Sequence, residues 1–139
     1  MAKRKANAQW TGTLKQGRGT MKYGTYEGLY TFASRFEEGD GTNPEELVGA
    51  AISGCYSMFL AALASEKGLQ PEKIETEATV DLGRDDKGPL ITSIQLNTRA
   101  KIDGISENDF QELAGKAKEG CPISRLYKGT EISLDATLV

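Results

Sequence analysis

The sequence contains no histidine, and only two of its 139 residues are cysteine. Without histidine, a single chain cannot form a Cys–His or Ser–His nucleophile pair, and it cannot form a zinc site that uses imidazole ligands. Two cysteines are also too few for an all-cysteine metal site or for a secreted domain held together by disulfides. Most common catalytic sites are therefore excluded, and free or transiently oxidised thiols in a reducing cytoplasm are expected.

An excess of positive charge is also missing, because the formal net charge is −3. Proteins that bind nucleic acids usually carry a clear basic excess, so no nucleic-acid partner is expected. The basic start "MAKRKA" is followed by the polar "NAQWTG" rather than by an apolar segment, so no secretory signal is predicted. At this length, residues 1–139 are predicted to form a single domain.

One long stretch without charge lies inside a predicted helix over residues 43–67. Asn43 suits the N-cap, Pro44 the first helical position, and Glu46 the acidic position of a capping box. The uncharged stretch is long enough to span a membrane, but it is rich in alanine, glycine and serine and lies between amphipathic strands. We therefore predict no membrane contact and a long central helix buried on all sides, under a sheet or a partner subunit.

Alternating apolar and polar residues predict strands on both sides of this helix. Two or three short strands with tight turns are expected over residues 8–32, followed by a charged loop at "SRFEEGDG". After the helix, residues 73–102 predict a long hairpin, residues 106–119 a second helix, and residues 131–139 a final strand. This order predicts an α+β fold in which a strongly bent antiparallel sheet packs against the two helices.

The apolar periodicity also predicts which side chains face the core. On the returning strand of the hairpin, the inward residues are Leu90, Ile94, Leu96, Ala100 and Ile102. On the second helix, the apolar stripe comprises Phe110, Leu113, Ala114 and Ala117, with Ser106 as N-cap. Sheet and helices are therefore expected to share one core.

The two cysteines occupy different predicted environments. Cys55 lies in the middle of the long helix, where it is either a small buried hydrophobe or a nucleophile shielded from water. A nucleophilic Cys55 needs a lowered pKa, and without histidine an arginine is the best available activator. Cys121 follows the second helix directly before Pro122, in a turn that is potentially mobile and accessible. Such a pair suits oxidation of the first thiol to a sulfenic acid and its condensation with the second thiol to a disulfide.

Three segments carry a resemblance to a known family: "WTGTLKQGRGT", "SRFEEGDGTNPEELVGAAISGCYSMFL" and "AKEGCPIS". With both cysteines in register, the chain resembles the OsmC/Ohr family of thiol-dependent hydroperoxide reductases, and more closely its OsmC branch. The resemblance implies an intertwined homodimer with active sites shared at the subunit interface. It also implies reduction of organic hydroperoxides, and more weakly of hydrogen peroxide, with a dithiol such as dihydrolipoamide as reductant and without metal or cofactor.

The resemblance assigns roles to individual residues. Cys55, in "AAISGCYSMF", matches the peroxidatic cysteine, and Cys121, in "GCPIS", matches the resolving cysteine. Glu45, in "TNPEEL", matches the acidic partner of a catalytic arginine. Arg35 matches the arginine of the OsmC branch, whereas Arg18, in "KQGRGT", lies near the position of the arginine in the Ohr branch. Arg35 is therefore favoured as the catalytic arginine, and Arg18 remains the alternative.

The spacing along the long helix adds a geometric expectation. Glu45 precedes Cys55 by ten residues, which corresponds to about 15 Å along a straight helix. One side chain does not easily bridge that distance, so either the arginine spans the gap or Glu45 serves a thiol on another chain; a site shared between subunits is predicted. Tyr56, Met58 and Phe59 are candidates to line a pocket for the alkyl tail of the substrate, and some of these three are expected to face the core instead.

Two other functions stay open on the sequence alone. A redox sensor or binding module would form the same disulfide without efficient turnover. A purely structural domain would not react through its cysteines at all. The pattern of Arg35, Glu45, Cys55 and Cys121 favours the peroxidase, because a structural domain has no need for it.

Overall fold

The computed structural model describes all 139 residues and has an α+β fold, as predicted. The chain divides into two compact units, residues 1–46 and residues 47–139, and the single domain remains a prediction. In chain order the elements are β1 (Ala6–Thr11), β2 (Arg18–Tyr23), β3 (Tyr26–Thr31), α1 (Phe32–Phe36), α2 (Pro44–Glu66), β4 (Pro71–Asp85), β5 (Gly88–Ile102), α3 (Glu107–Gly120), α4 (Pro122–Leu126) and β6 (Glu131–Leu138).

The first unit contains an antiparallel sheet in the order β1-β2-β3. Gly19 in β2 is required there, because a Cβ atom would lie 2.6 Å from the Tyr30 ring and 2.8 Å from the Trp10 ring. The bare backbone lets these two rings pack with centroids 5.3 Å apart. The short strands predicted from the alternating pattern are thus confirmed, and they support an aromatic cluster.

The chain forms the short helix α1 where the sequence predicts the start of a charged loop. The Thr31 hydroxyl accepts the Ser34 backbone N–H at 3.1 Å, and the Ser34 hydroxyl accepts the Thr31 N–H at 2.8 Å. This reciprocal capping satisfies backbone groups that a helix start otherwise leaves without partners. The loop prediction is therefore wrong for residues 34–36.

The start of α2 follows the sequence prediction with one change. Asn43 Oδ1 accepts the Glu46 backbone N–H at 2.8 Å, which confirms Asn43 as the cap, and Pro44 begins the helix. The Glu46 carboxylate accepts a hydrogen bond from the Thr42 hydroxyl at 2.8 Å. Glu46 therefore stabilises the segment before the helix rather than completing a capping box.

Within the chain, α2 is buried on one side only. Its core-facing residues recur every four positions and are Ile52, Tyr56, Leu60 and Ala64. The opposite side exposes small or apolar residues, namely Ala51, Gly54, Met58 and Ala62. Only 28% of the apolar stretch is buried within one chain, so cover on all sides, by a sheet or a partner subunit, stays a prediction for the side that faces away from the core. By length and composition α2 would also span a membrane, a test that core helices of soluble proteins pass as well.

The second unit contains a sheet in the order β4-β5-β6. β4 and β5 form the predicted long hairpin, which turns between Asp85 and Gly88, where Gly88 has a φ of 122°. β6 pairs with β5 in parallel, so the expectation of a purely antiparallel sheet is wrong. The segment with α3 and α4 is the crossover that brings β6 into this direction, because parallel neighbours need a long connection.

The core of the second unit combines α2, α3 and the sheet. The predicted stripe on α3 is buried, and the Ser106 hydroxyl accepts the Asp109 N–H at 3.1 Å. The inward residues of β5 are as predicted except for Leu90, which is exposed. A register shift after Asp81 reverses the alternation there, and Ile91 packs against the core instead.

Candidate active site

Cys55 lies in the middle of α2 and is half-buried against the core. Burial raises the pKa of its thiol, because removal of water disfavours the thiolate. A hydrogen bond with the Ile123 backbone lowers the pKa in part, and the nearby Cys121 adds to the rise. None of these neighbours is a cation, so the second unit by itself does not activate the thiol.

Cys121 connects α3 and α4, and its sulfur caps the N-terminus of α4. The sulfur accepts the Ser124 backbone N–H at 3.3 Å and lies 3.1 Å from the Ser124 hydroxyl oxygen. Pro122 follows in the first turn of α4, where a missing N–H costs nothing. Cys121 is 0% exposed, so the expectation of an accessible thiol is wrong. The turn is packed and capped, and Cys55 is the more accessible of the two thiols.

The second unit brings the two thiols together although 66 residues separate them in sequence. Both cysteines are free, and Cys121 is close enough to act on the Cys55 thiol through a hydrogen bond and through charge. Gly120, which precedes Cys121, lets the end of α3 pack closely against α2, because a Cβ atom there would lie 3.0 Å from the Phe59 ring. Two adjacent free thiols are what a disulfide-forming pair requires.

Tyr56 faces the core and is fully buried, so it does not line a substrate pocket. Its hydroxyl approaches that of Thr98 but completes no hydrogen bond of good geometry. The Thr98 hydroxyl lies 2.9 Å from that of Thr76, which lies 2.8 Å from that of Ser57. Burial raises the pKa of Tyr56 to about 12, and the nearby Cys121 adds to the rise. The only sequence signal for this partly buried row of hydroxyls is the pair of threonines at inward positions of two strands.

The other two predicted pocket residues do not share a cavity either. Met58 is 77% exposed, whereas Phe59 is half-buried against Gly120. A helix turns by about 100° per residue, so neighbouring side chains point in different directions. The expectation that some of the three residues face the core instead of a pocket is thus confirmed for Tyr56.

Arg35 and Glu45 form a close ion pair within the first unit. Arg35 Nε donates to both carboxylate oxygens at 3.2 Å, and Nη2 donates to Oε1 at 2.7 Å. The guanidinium carbon also lies 5.1 Å from the centroid of the Phe36 ring. Glu45 is buried while 34% of the Arg35 side chain stays exposed. The carboxylate therefore fixes the orientation of a cation that still has an accessible side.

Arg18, the alternative arginine, is placed differently. It lies on β2 between Thr11 and Thr31 of the neighbouring strands and is exposed. The buried carboxylate of Glu45 pairs with Arg35 and not with Arg18. The geometry thus favours Arg35 as the arginine of the site.

A cavity of about 430 Å³ lies beside Arg35 in the first unit. Its walls are mostly apolar and are formed by Trp10, Leu14, Tyr30, Phe32 and Phe36 together with Arg35. The sequence pattern does not predict this cavity, and its only signal is the aromatic content of the segments around β1 and β3. An apolar cavity with one cation suits a ligand that has an apolar body and a polar end.

The side chains offer no assembled metal site. No three of the His, Cys, Asp and Glu residues lie together, and two thiols alone do not complete a tetrahedral zinc site. The groups available for chemistry are thus the two thiols of the second unit and the Arg35–Glu45 pair of the first.

Comparison with known proteins finds related sequences and structures. A family model described as OsmC-like protein matches residues 37–135. The chain is 42% identical over 140 residues to the peroxiredoxin OsmC of Escherichia coli K12, covering 97% of this chain and 96% of that protein. It is 31% identical over 101 residues to the organic hydroperoxide resistance protein of Xanthomonas axonopodis pv. citri, covering 72% and 67%. The crystal structure of the organic hydroperoxide resistance protein OhrB of Bacillus subtilis has a TM-score of 0.71 at 25% identity, covering 97% and 98%.

Proposed function

Because this chain belongs to the OsmC-like family and is a cysteine-based peroxidase, we propose that it reduces organic hydroperoxides to alcohols and, more weakly, hydrogen peroxide to water. Cys55 is the peroxidatic cysteine and Cys121 the resolving cysteine. The observation that carries the proposal is the proximity of these two free thiols, which are far apart in sequence but belong to the same packed core of the second unit.

The first step requires a thiolate at Cys55. Its sulfur attacks the terminal peroxide oxygen, the O–O bond breaks, and the alcohol leaves after taking up a proton, so that Cys55 becomes a sulfenic acid. Burial raises the pKa of the Cys55 thiol, so a cation has to counteract it. Arg35 is that cation; it stabilises the thiolate and the charge on the leaving oxygen, and Glu45 holds its guanidinium in place.

The active site is shared between two copies of the chain, so that the Arg35–Glu45 pair of one copy serves Cys55 of the other. Two observations support this arrangement. The groups that act on the Cys55 pKa within its own unit include no cation, and ten residues of helix separate Glu45 from Cys55. A second copy supplies the missing charge without requiring either side chain to span the helix.

The exposed side of α2 supports a homodimer as the active form. This side carries the small residues Ala51, Gly54 and Ala62 around the exposed Met58. Contiguous exposed apolar surface marks an interaction site, and small residues allow close approach of another backbone. An intertwined homodimer would bury this side and shield the apolar residues of α2 from water.

The cavity beside Arg35 holds the apolar part of the hydroperoxide. Its aromatic walls take up an alkyl or aryl group, while Arg35, which also lines the cavity, interacts with the peroxide oxygens. Each buried methylene contributes about 0.8 kcal/mol, so a butyl group gains about 3 kcal/mol over hydrogen peroxide. This difference accounts for the proposed preference for organic substrates.

The cycle ends with disulfide formation and reduction. Cys121 condenses with the sulfenic acid of Cys55, and water leaves. A dithiol of the dihydrolipoyl type then reduces the disulfide by thiol–disulfide exchange, which restores both thiols. A reducing cytoplasm is the proposed location, because such a cycle needs a continuous supply of dithiol.

Mass spectrometry of three proteins tests this proposal. Wild type, Cys55→Ser and Cys121→Ser are treated with one equivalent of cumene hydroperoxide, and intact mass and free thiols are determined. Wild type should lose two hydrogens, Cys121→Ser should gain one oxygen at Cys55, and Cys55→Ser should remain unchanged. Two intact thiols in the treated wild type would overturn the proposal. A disulfide that forms but resists dihydrolipoamide would favour a redox sensor instead.

A further inference from the structure

The most unusual polar group of the second unit is the hydroxyl of Tyr56. It is buried inside the core without a hydrogen-bond partner of good geometry. Leaving a buried donor unsatisfied carries the desolvation cost of that group, and a phenylalanine would avoid this cost with the same packing. Because the hydroxyl does not stabilise the fold, we look for its role in the chemistry of the protein.

The surroundings of Tyr56 indicate where this donor acts. Tyr56 follows Cys55 directly on α2, and Cys121 is close enough to influence its ionisation. Tyr56 and Cys121 belong to the same buried cluster, in which both are 0% exposed. The only other polar group that acts on the phenol is the Thr98 hydroxyl, which is already engaged with Thr76.

We propose that Tyr56 is a positioning residue for the resolving step, in which its hydroxyl donates a hydrogen bond to the Cys121 sulfur as that sulfur attacks the Cys55 sulfenic acid. This inference rests on the proposed function and adds a residue to it. In the resting protein the Cys121 sulfur is occupied by Ser124. When its proton departs, the sulfur gains acceptor capacity, and the free donor of Tyr56 satisfies it.

The step balances without any outside oxidant or reductant. The Cys121 sulfur forms a bond to the Cys55 sulfur, the S–O bond of the sulfenic acid breaks, and the oxygen leaves as water after taking up the Cys121 proton. Tyr56 keeps its own proton throughout. The nearest hydroxyl, that of Thr98, is engaged with Thr76, which in turn lies beside Ser57, so the phenol proton remains available for Cys121.

The size of the effect follows from two opposing terms. A hydrogen bond to a charged sulfur raises the thiolate fraction of Cys121 by roughly 10- to 100-fold. The same hydrogen bond makes each thiolate less nucleophilic. The net gain in rate is therefore only about the square root of the gain in thiolate fraction. Removal of the hydroxyl should therefore slow disulfide closure by about three- to tenfold.

Single-turnover kinetics of Tyr56→Phe test the inference, with Tyr127→Phe as matched control. Tyr127 is a half-buried tyrosine at the end of α4, so the control removes a hydroxyl near the same core. Sulfenic acid formation and disulfide closure are followed separately by quenching and mass spectrometry, and urea unfolding gives the stability. For Tyr56→Phe we expect an unchanged first step, slower closure, and stability equal to or above that of wild type, while Tyr127→Phe closes at the wild-type rate.

Tyr56→3-fluorotyrosine provides a second, graded test that keeps the shape of the side chain. Its more acidic phenol is a stronger donor, so closure should be faster than in wild type. Closure at the wild-type rate in both Tyr56 variants would overturn the inference and leave the peroxidase proposal intact. Failure of wild type to form any disulfide would instead refute the proposed function and the inference with it.

Discussion

The Arg35 guanidinium donates three hydrogen bonds to the Glu45 carboxylate, two from Nε at 3.2 Å and one from Nη2 at 2.7 Å. Arg35 comes from a short capped helix and Glu45 from the first turn of α2, so both side chains are held by regular structure. A buried carboxylate that orients a partly exposed arginine is a costly arrangement unless the arginine has a task.

Replacement of the two candidate arginines should have unequal effects. Arg35→Ala should lower kcat/KM for cumene hydroperoxide by about 100-fold or more, because removal of one preorganised donor typically costs that much. Arg18→Ala, the matched control, should stay within about twofold. Glu45→Gln should fall between them, since the arginine remains but loses its charged partner. Equal losses for both arginines, or full activity of Arg35→Ala, would contradict the assignment.

The accessibility of the thiols gives a second prediction. Cys121 is 0% exposed and capped by Ser124, so in folded Cys55→Ser it should react with iodoacetamide at least about 100-fold more slowly than in urea, because alkylation requires local opening. Mass spectrometry at timed intervals measures the rate. Rapid labelling of Cys121 in the folded variant would show that the turn between α3 and α4 is mobile after all.

A charge on the exposed side of α2 should disrupt the proposed homodimer. Met58→Asp places a carboxylate at the centre of that apolar surface, where burial against another chain would cost several kcal/mol. We expect a shift to monomer in sedimentation analysis and a loss of peroxidase activity. Thr79→Asp, at an exposed polar position of β4, serves as control. A dimeric and active Met58→Asp would place the interface elsewhere.

Alkaline unfolding should report the buried Tyr56. Burial raises the pKa of Tyr56 to about 12, whereas an unfolded tyrosine has a pKa of about 10. The folded state therefore holds the proton more tightly, and this contribution is fully present below pH ~10 and is lost as pH rises toward ~12. The total is about 2–3 kcal/mol.

The measurement compares wild type with Tyr56→Phe in urea at a series of pH values and under reducing conditions. Wild type should lose stability more steeply above pH ~10, by up to about 1.4 kcal/mol for each pH unit. The raised pKa of the Cys55 thiol also makes stability fall with rising pH, but it does so in both proteins and cancels. Parallel curves for the two proteins would indicate that Tyr56 ionises normally in the folded state.

Much of the architecture was predictable because it follows from local patterns. The α2 boundaries depend on Asn43 and Pro44, and the α3 stripe follows the helical period, so both predictions were confirmed. The β6 direction was not predictable, since alternation along a strand says nothing about the orientation of its neighbour. Leu90 was misplaced for a related reason: a bulge shifts the alternation by one residue and leaves no clear mark in the sequence.

By itself, the sequence determined most of the elements, the α+β class and the short set of candidate residues for the proposed chemistry, because few alternatives exist in a chain with two cysteines and no histidine. Tertiary structure alone decided that Cys121 is the buried thiol, that Arg35 rather than Arg18 pairs with Glu45, and that Tyr56 carries a free hydroxyl in the core. The physical reason is that contact and burial are set by residues distant in sequence. A local pattern constrains only the direction in which a side chain leaves its own helix or strand.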